Sequence, residues 1–285
     1  MGARSLVPQS RVLSGNAGTC EMHERGGGWE RRAEQSRSGE NASLSPAPPR
    51  PRADDTHTQL RTYAATFIRR MRFLVPYLAT YGLRPFQGFF PDLLWRVDAA
   101  AKTAYLTFDD GPTEELTDDL LDLLAQYNAQ ATHFLVGAHA EAHPERTRAL
   151  VSAGHHVGNH TYTHVDPWSV STERLQQELN RTTRRLEDLT QTRIRALRPP
   201  YGHPTGPLRQ WCAERTQRMV MWDVMPGDYL KTATAARVAR FVIRHVRPGS
   251  VIVLHDNPIC EDVTLPALEA ILETLTAEGW SFDAL

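Results

Sequence analysis

The sequence predicts an α/β fold, a β/α barrel of about seven parallel strands over residues 101–285. Short apolar runs alternate with amphipathic stretches along this region, a pattern typical of parallel strands joined by helical crossovers. Acidic and histidine residues follow several of the apolar runs directly, and a barrel builds its catalytic face at those strand ends. A doubly wound sheet is compatible with the same alternation, but the number of strand–helix units favours a barrel.

Each predicted strand is a short run of apolar side chains, the kind of run that forms a buried strand. In chain order the runs lie at 103–108, 131–136, 155–158, 194–197, 219–222, 251–254 and, as the weakest, 280–285. Between the runs, apolar residues recur every three or four positions, as on the buried face of a helix. This spacing predicts helices over 116–124, 175–189, 238–245 and 265–275.

The first hundred residues differ in composition from the rest of the chain. Residues 1–60 contain a triple glycine, a proline-rich stretch and no helical or strand period, so we predict that they are disordered. Residues 61–100 are expected to form a lead-in that packs on the barrel through apolar side chains, namely Phe86, Phe89, Phe90, Leu94 and Trp95. No clear signal peptide follows Met1, which predicts a cytoplasmic protein, whereas translation from Met71 would leave export open.

Composition excludes several classes of function. The 32 basic and 33 acidic residues nearly cancel, so the chain lacks the basic excess of a nucleic-acid-binding protein. No apolar run approaches the roughly 18–20 residues of a membrane span, so no integral membrane segment is expected. The three cysteines match no zinc or redox spacing and exclude a disulfide scaffold. No feature of the sequence indicates a protein partner.

Histidines and aspartates at the predicted strand ends indicate a metal site. His160 and His164 are spaced i, i+4, so one helical turn would place both imidazoles on the same side. Asp109 and Asp110 follow the first strand and offer a carboxylate, which completes the ligand set of a hydrolytic zinc site. A lone HxxxH pair is more often ordinary surface polarity, and an Asp-Gly-Pro sequence is also strong turn chemistry. A turn does not explain two acids directly after an apolar strand.

Four segments together resemble the polysaccharide deacetylase family, the NodB-homology domains of carbohydrate esterase family 4. They are TFDDGP at 107–112, HTYTH at 160–164, RPPYG at 198–202 and VLHD at 253–256. Each segment is weak evidence alone, but four in the family's order are jointly specific. The resemblance runs from about residue 100 to the C-terminus and implies the family's distorted seven-stranded (β/α) barrel.

The resemblance also implies a metal centre and a base. Asp110, His160 and His164 resemble the metal-binding triad, for which zinc is the first expectation and cobalt, nickel or manganese are compatible alternatives. Asp109 resembles the general base. Arg198 would orient Asp109 and hold its pKa down through its opposite charge.

The remaining site residues follow from the same motifs. His255 resembles the acid that protonates the leaving amine, and Asp228 would pair with it. The backbone N–H of Tyr201 would be an oxyanion donor, while Trp222 and Tyr229 are expected to line the substrate site. Arg198 could instead be a surface ion-pair partner, and His255 a core histidine.

One motif departs from the family's pattern. Where the family often has Asp-x-x-Asp-Trp, this chain has Met225 for the first aspartate and Tyr229 for the tryptophan, and Asp228 remains. Asp223 could replace the missing acid only if the loop register shifts. The departure puts substrate preference in doubt more than catalysis.

The predicted function is metal-dependent hydrolysis of N-acetyl groups on amino sugars, from chitin-type chains, peptidoglycan or smaller glycans. The first alternative keeps the metal and acts on a small non-sugar amide or a formyl group. The second is a catalytically silent carbohydrate-binding module. Retention of the base, the ligands and the acid argues against the silent module.

Overall fold

Seven parallel strands form a curled sheet, and its spatial order is β1-β6-β5-β4-β3-β2-β7. The computed structural model describes residues 74–82 and 84–285, so the predictions for residues 1–60 and for a start at Met71 lie outside the described residues. The strands are β1 Leu93–Leu94, β2 Thr103–Asp109, β3 Ala131–Leu135, β4 His156–Asn159, β5 Ala196–Leu197, β6 Arg218–Val220 and β7 Val251–His255. A short β8, Ser281–Phe282, pairs with the start of β2.

Helices cover the outer face of this sheet. They are α1 Leu116–Gln126, α2 Gly137–Ala142, α3 Pro144–Ser152, α4 Thr172–Thr190, α5 Gly206–Arg215, α6 Ala235–His245 and α7 Glu261–Ala277. The largest apolar cluster joins β2 and β7 to α1, α6 and α7. Burial of this cluster against the sheet is the main favourable contribution to folding. The four predicted helices are confirmed, whereas α2, α3 and α5 carry too few regularly spaced apolar residues to be recognised in the sequence.

The lead-in adds a strand at one edge of the curled sheet. Strand β1 lies beside β6, with Leu93 opposite Met219, and two residues further on Arg96 forms a bridge with Ser250 at the start of β7. Two residues further along β7, Val224 pairs directly with Ile252. The segment before the first predicted strand therefore fills the gap between β6 and β7. The expected seven-stranded barrel is confirmed, but β1 supplies the seventh strand, and the weak run at 280–285 contributes only β8.

The lead-in packs on the barrel through only some of the residues predicted for it. Leu94 and Trp95 are partly buried and pack against apolar clusters of the barrel. Phe89 is 76% exposed, so the prediction that it packs on the barrel is wrong. Phe90 is 37% exposed, and its ring lies 5.4 Å from the guanidinium of Arg209 in α5. Within the described part of the chain, no helix is long and apolar enough to cross a bilayer.

Candidate active site

The predicted site residues meet at the carboxyl ends of the strands, around one cavity of about 290 Å³. Of the ten residues predicted from the sequence, eight line this cavity: Asp109, Asp110, His160, His164, Tyr201, Trp222, Tyr229 and His255. Arg198 and Asp228 lie behind its wall, each hydrogen-bonded to a lining residue. Residues as distant in the chain as Asp109 and His255 therefore share one pocket, as barrel topology requires.

Asp110, His160 and His164 present their ligand atoms to a common point. The three atoms lie within 4.8 Å of one another. Asp110 Oδ1 is 3.2 Å from His164 Nε2 and 3.7 Å from His160 Nε2. Burial opposes ionisation of Asp110, but the neighbouring imidazoles outweigh it and lower the pKa of this carboxyl well below its usual range. The group is therefore an anionic ligand at neutral pH.

The chemistry of these donors fits a divalent cation. His160 Nδ1 lies 2.8 Å from the carbonyl oxygen of Arg198, which can only accept, so Nδ1 carries the proton and Nε2 keeps a free lone pair. Burial lowers the pKa of His160 and keeps the ring neutral, as a metal ligand must be. Asp110 Oδ1 is buried and has no hydrogen-bond donor among the described residues. A cation would satisfy that oxygen.

The segment that carries both histidines is a loop and not the helical turn that their spacing predicted. Thr161 and His164 adopt left-handed backbone angles, with φ of 63° and 53°. Such angles cost side-chain-bearing residues free energy and persist only where surrounding contacts enforce them. The helical interpretation of the HxxxH pair is therefore wrong, although its conclusion that both imidazoles share one side is correct.

Glu178 of α4 holds this loop. Its carboxylate is buried and accepts hydrogen bonds from the backbone N–H groups of Tyr162 and Thr163, at 2.8 and 2.7 Å. The hydroxyl of Thr163 donates to the other carboxylate oxygen, and Arg174 forms an ion pair with it at 2.6 Å. Glu178 thus fixes two of the three residues that lie between the metal-ligand histidines.

Glu178→Gln is expected to weaken metal binding by roughly 10–100-fold, the range for loss of a residue that orients ligands. The amide cannot accept all three hydrogen bonds from the loop, so His164 loses its fixed position. Titration of the metal-free protein with Zn²⁺ measures the effect. The control is Glu187→Gln, because Glu187 lies on the same helix and accepts a backbone N–H from Ile194. Equal Zn²⁺ affinity in both variants would contradict a positioning role.

Arg198 is buried against Asp109 and is not a surface ion-pair residue. Its guanidinium is fully buried and donates to Asp109 Oδ1 at 2.7 Å. The remaining donors reach the hydroxyl of Thr107 and the carbonyl oxygens of Val220 and Met221. These contacts fix the guanidinium, which binds Oδ1 of Asp109. Arg198 does not bind Oδ2, so that oxygen is available at the cavity that Asp109 lines.

His255 lies opposite Asp109 on the neighbouring strand. Its Nδ1 is 2.8 Å from Asp228 Oδ1, and its backbone N–H donates to Asp228 Oδ2 at 2.8 Å. Burial disfavours the imidazolium, but the charge and hydrogen bond of Asp228 outweigh it and raise the pKa of His255 to about 9. The ring is therefore protonated at neutral pH, with Nε2 left for the cavity. The core-histidine alternative does not account for this arrangement.

Asp228→Asn is expected to lower turnover and to move the alkaline limb of the pH–rate profile to lower pH. His255 works as an acid only while protonated, so activity falls as pH rises through its pKa. Removing the negative charge lowers that pKa and the histidine loses its proton earlier. Profiles of kcat/KM for both proteins, loaded with the same metal, measure the shift.

Asp223→Asn is the matched control for this shift. Asp223 is a buried acid in the same segment, but it binds Arg247, Arg84 and Ser250 instead of the cavity. Its replacement should reduce stability and leave the pH profile in place. An unshifted profile in a less stable Asp228→Asn protein would show that Asp228 only anchors the loop. These contacts also show that Asp223 does not replace the acid missing at Met225.

Aromatic side chains form the walls of the cavity. Tyr229 stacks edge-on against His255 at 4.9 Å between ring centres, and burial raises the pKa of its phenol. The indole of Trp222 is buried and donates to the carbonyl oxygen of Ala79. It lies so close to Gly202 that a Cβ there would be 2.1 Å from the ring. Tyr201 differs, because its side chain is exposed at the mouth of the cavity.

Sequence reasoning missed two residues that support the site. Glu178 carried a signal, because it occupies a buried position between Leu175 and Leu179 on the apolar face of α4. Asn257 donates to Asp110 Oδ2 at 3.1 Å. No sequence pattern marks this residue except its position two residues after His255.

The fold and site define a class of protein. Two imidazoles and a carboxylate, set beside an aspartate and a protonated histidine at the carboxyl face of a parallel barrel, are typical of metal-dependent hydrolases. Residues 96–220 match the family model described as polysaccharide deacetylase.

Named relatives agree with that match. The chain is 34% identical over 203 residues to a chitooligosaccharide deacetylase of Sinorhizobium fredii, covering 67% of this chain and 93% of the relative. It is 34% identical over 181 residues to a peptidoglycan-N-acetylglucosamine deacetylase of Bacillus cereus, covering 63% of this chain and 66% of the relative. The crystal structure of the Bc1960 peptidoglycan N-acetylglucosamine deacetylase, in complex with 4-naphthalen-1-yl-N-oxidanyl-benzamide, superposes with a TM-score of 0.66 at 31% identity. That match covers 68% of this chain and 91% of the other. The chain belongs to the polysaccharide deacetylase family.

Proposed function

We propose that this protein removes N-acetyl groups from N-acetylated amino sugars in a metal-dependent reaction. One observation carries the proposal. Asp109 and His255, at paired positions of adjacent strands, line the same cavity as the Asp110–His160–His164 triad. Relatives at 34% identity are named as deacetylases of chitooligosaccharides and of peptidoglycan N-acetylglucosamine, which supports an amino-sugar substrate.

Zn²⁺ is the proposed metal, because two neutral imidazoles and one carboxylate suit it, while Co²⁺, Ni²⁺ and Mn²⁺ fit the same set. When bound, such a cation supplies a Lewis acid for the amide carbonyl and lowers the pKa of water. Asp110, His160 and His164 would hold it.

The chain's own residues move the protons. Asp109 takes the proton of the attacking water through the carboxylate oxygen that Arg198 leaves free. His255 donates the proton that the departing amine requires, and Asp228 both keeps it charged and fixes which nitrogen faces the substrate. The backbone N–H of Tyr201 is proposed as a donor to the developing oxyanion. Base and acid lie at paired positions of adjacent strands, so both face the same cavity and can act on one bound amide.

The test is release of acetate and free amine from N-acetylglucosamine oligomers by the purified protein. Activity should disappear on chelation and return with Zn²⁺. A panel that includes a small non-sugar amide and a formylated amine checks the first alternative. Turnover of the formylated or non-sugar compound alone would overturn the amino-sugar assignment. Tight oligomer binding without any acetate release in the metal-loaded protein would favour a silent carbohydrate-binding module.

A further inference from the structure

An exposed stack of two aromatic rings lies beside the mouth of the catalytic cavity. The indole of Trp168 lies parallel to the imidazole of His203, with ring centres 3.6 Å apart and an angle of 5° between the planes. Trp168 is nevertheless 65% exposed. Because His203 covers one face of the indole, the other face is open to solvent among the described residues. A single exposed apolar residue is common on a surface. What distinguishes Trp168 is that its ring is stacked on His203 close to the cavity.

The stack is held in place by hydrogen bonds. Asp166 Oδ1 accepts from the backbone N–H of Trp168 at 2.9 Å and from His203 Nδ1 at 2.8 Å. The indole N–H of Trp168 donates to the carbonyl oxygen of Pro204 at 3.3 Å. Asp166 therefore ties together the loop that follows His164 and the loop that follows Arg198. The indole is thus presented in a defined orientation before any ligand arrives, which lowers the entropy cost of binding.

Aromatic rings connect this stack to the metal-ligand residues. His203 is 5.9 Å from the ring of Tyr201, which is itself exposed. Tyr201 lies 4.9 Å from His164. Trp168 and His203 do not line the cavity themselves, but they lie beside Tyr201, which does. A ligand that extends out of the cavity past Tyr201 would therefore reach the stack.

We propose that Trp168, backed by His203, binds a second sugar ring of the same glycan, further along the chain than the sugar that is deacetylated. This inference rests on the proposed deacetylase function and narrows the substrate class to oligomers or polymers. A pyranose ring carries an apolar C–H face that packs flat on an indole, while its hydroxyls stay in water. The platform suits such a ring because the hydrogen bond between Asp166 and His203 lies at the edge of the stack and leaves the flat face of the indole apolar.

The test compares kcat/KM on the N-acetylglucosamine dimer and tetramer for the wild-type protein and Trp168→Ala. The variant should lose roughly three- to tenfold on the tetramer, the contribution of one aromatic contact, through KM. Its loss on the dimer should be smaller. The control is Phe89→Ala, which removes another exposed aromatic ring that does not line the cavity. Equal losses on both substrates, or no loss on either, would overturn the inference.

Two further variants test the backing ring. His203→Ala removes the support for the indole and should reduce the preference for the tetramer as Trp168→Ala does. His203→Phe keeps a flat ring and should restore most of that preference. If it restores none, the hydrogen bond from His203 to Asp166 is what matters, and stacking is not the basis of the effect.

Calorimetric titration with the tetramer separates this inference from the proposed function. If the wild-type protein releases no acetate from any oligomer, the proposed function fails, and tetramer affinity alone then decides on Trp168. Weaker tetramer binding by Trp168→Ala would support the platform, and unchanged or absent binding would refute it. Concentration-dependent self-association that Trp168→Ala abolishes, without any effect of substrate length, would assign the ring to contacts between copies instead.

Discussion

Asp109→Asn should reduce kcat by about 10²–10⁴-fold while the protein keeps its metal, which is the range for loss of a general base. The amide oxygen can still accept the hydrogen bond from Arg198, so the residue stays in place, but it cannot take a proton from water. Acetate release by metal-loaded protein gives the rate, and elemental analysis gives the metal content.

Some loss of stability accompanies this substitution, because Arg198 is fully buried and loses its counter-charge. Asp223→Asn controls for that loss, since Asp223 is also a buried acid paired with arginine and lies outside the cavity. It should keep its kcat at temperatures well below unfolding. If Asp109→Asn loses the metal and Asp110→Asn retains it, the roles of the two aspartates are the reverse of those assigned here.

His160→Ala and His164→Ala should each abolish metal binding and reduce acetate release to the level of chelated protein. Either change leaves two ligands, too few to hold a hydrolytic divalent ion. Elemental analysis after gel filtration measures the metal, and thermal unfolding measures stability.

The two variants should differ in stability. His160 is buried and donates to the carbonyl oxygen of Arg198, so its loss leaves a buried acceptor without a partner, at a cost of about 1–3 kcal/mol. The side chain of His164 is 30% exposed, and its loss should cost less. Full activity in a metal-free preparation of either variant would refute the metal centre.

Most of the barrel could be predicted from the sequence because its signals are local. A buried strand needs an apolar run, and a helix on the outer face needs apolar residues every three or four positions, as along α1, α4, α6 and α7. Short or weakly periodic elements have no such signal. Strand β1 contains only Leu93–Leu94, and it forms because β6 and β7 leave a gap between them.

The candidate site was predictable in its membership but not in its geometry. Asp109, Asp110 and His255 are identified by their position at strand ends, where any parallel barrel brings side chains together. The HxxxH spacing suggested a helix, whereas the loop follows left-handed angles at Thr161 and His164. Glu178, which holds the residues between these two, is fourteen residues beyond His164 and is brought to the loop only when α4 packs.

The sequence by itself determined which elements form and which residues carry the chemistry, because period, turn residues and motif order are properties of neighbouring positions. Only the tertiary structure decided the pairings that no motif indicates. The pairing of Asp228 with His255 was predicted, whereas the binding of Asp223 to Arg247, Arg84 and Ser250 was not. The stacking of Trp168 on His203, which Asp166 holds in place by hydrogen bonds to both residues, was likewise decided only by the tertiary structure. The physical reason is that such pairings depend on distances across the folded barrel, and distances of that kind leave no pattern along the chain.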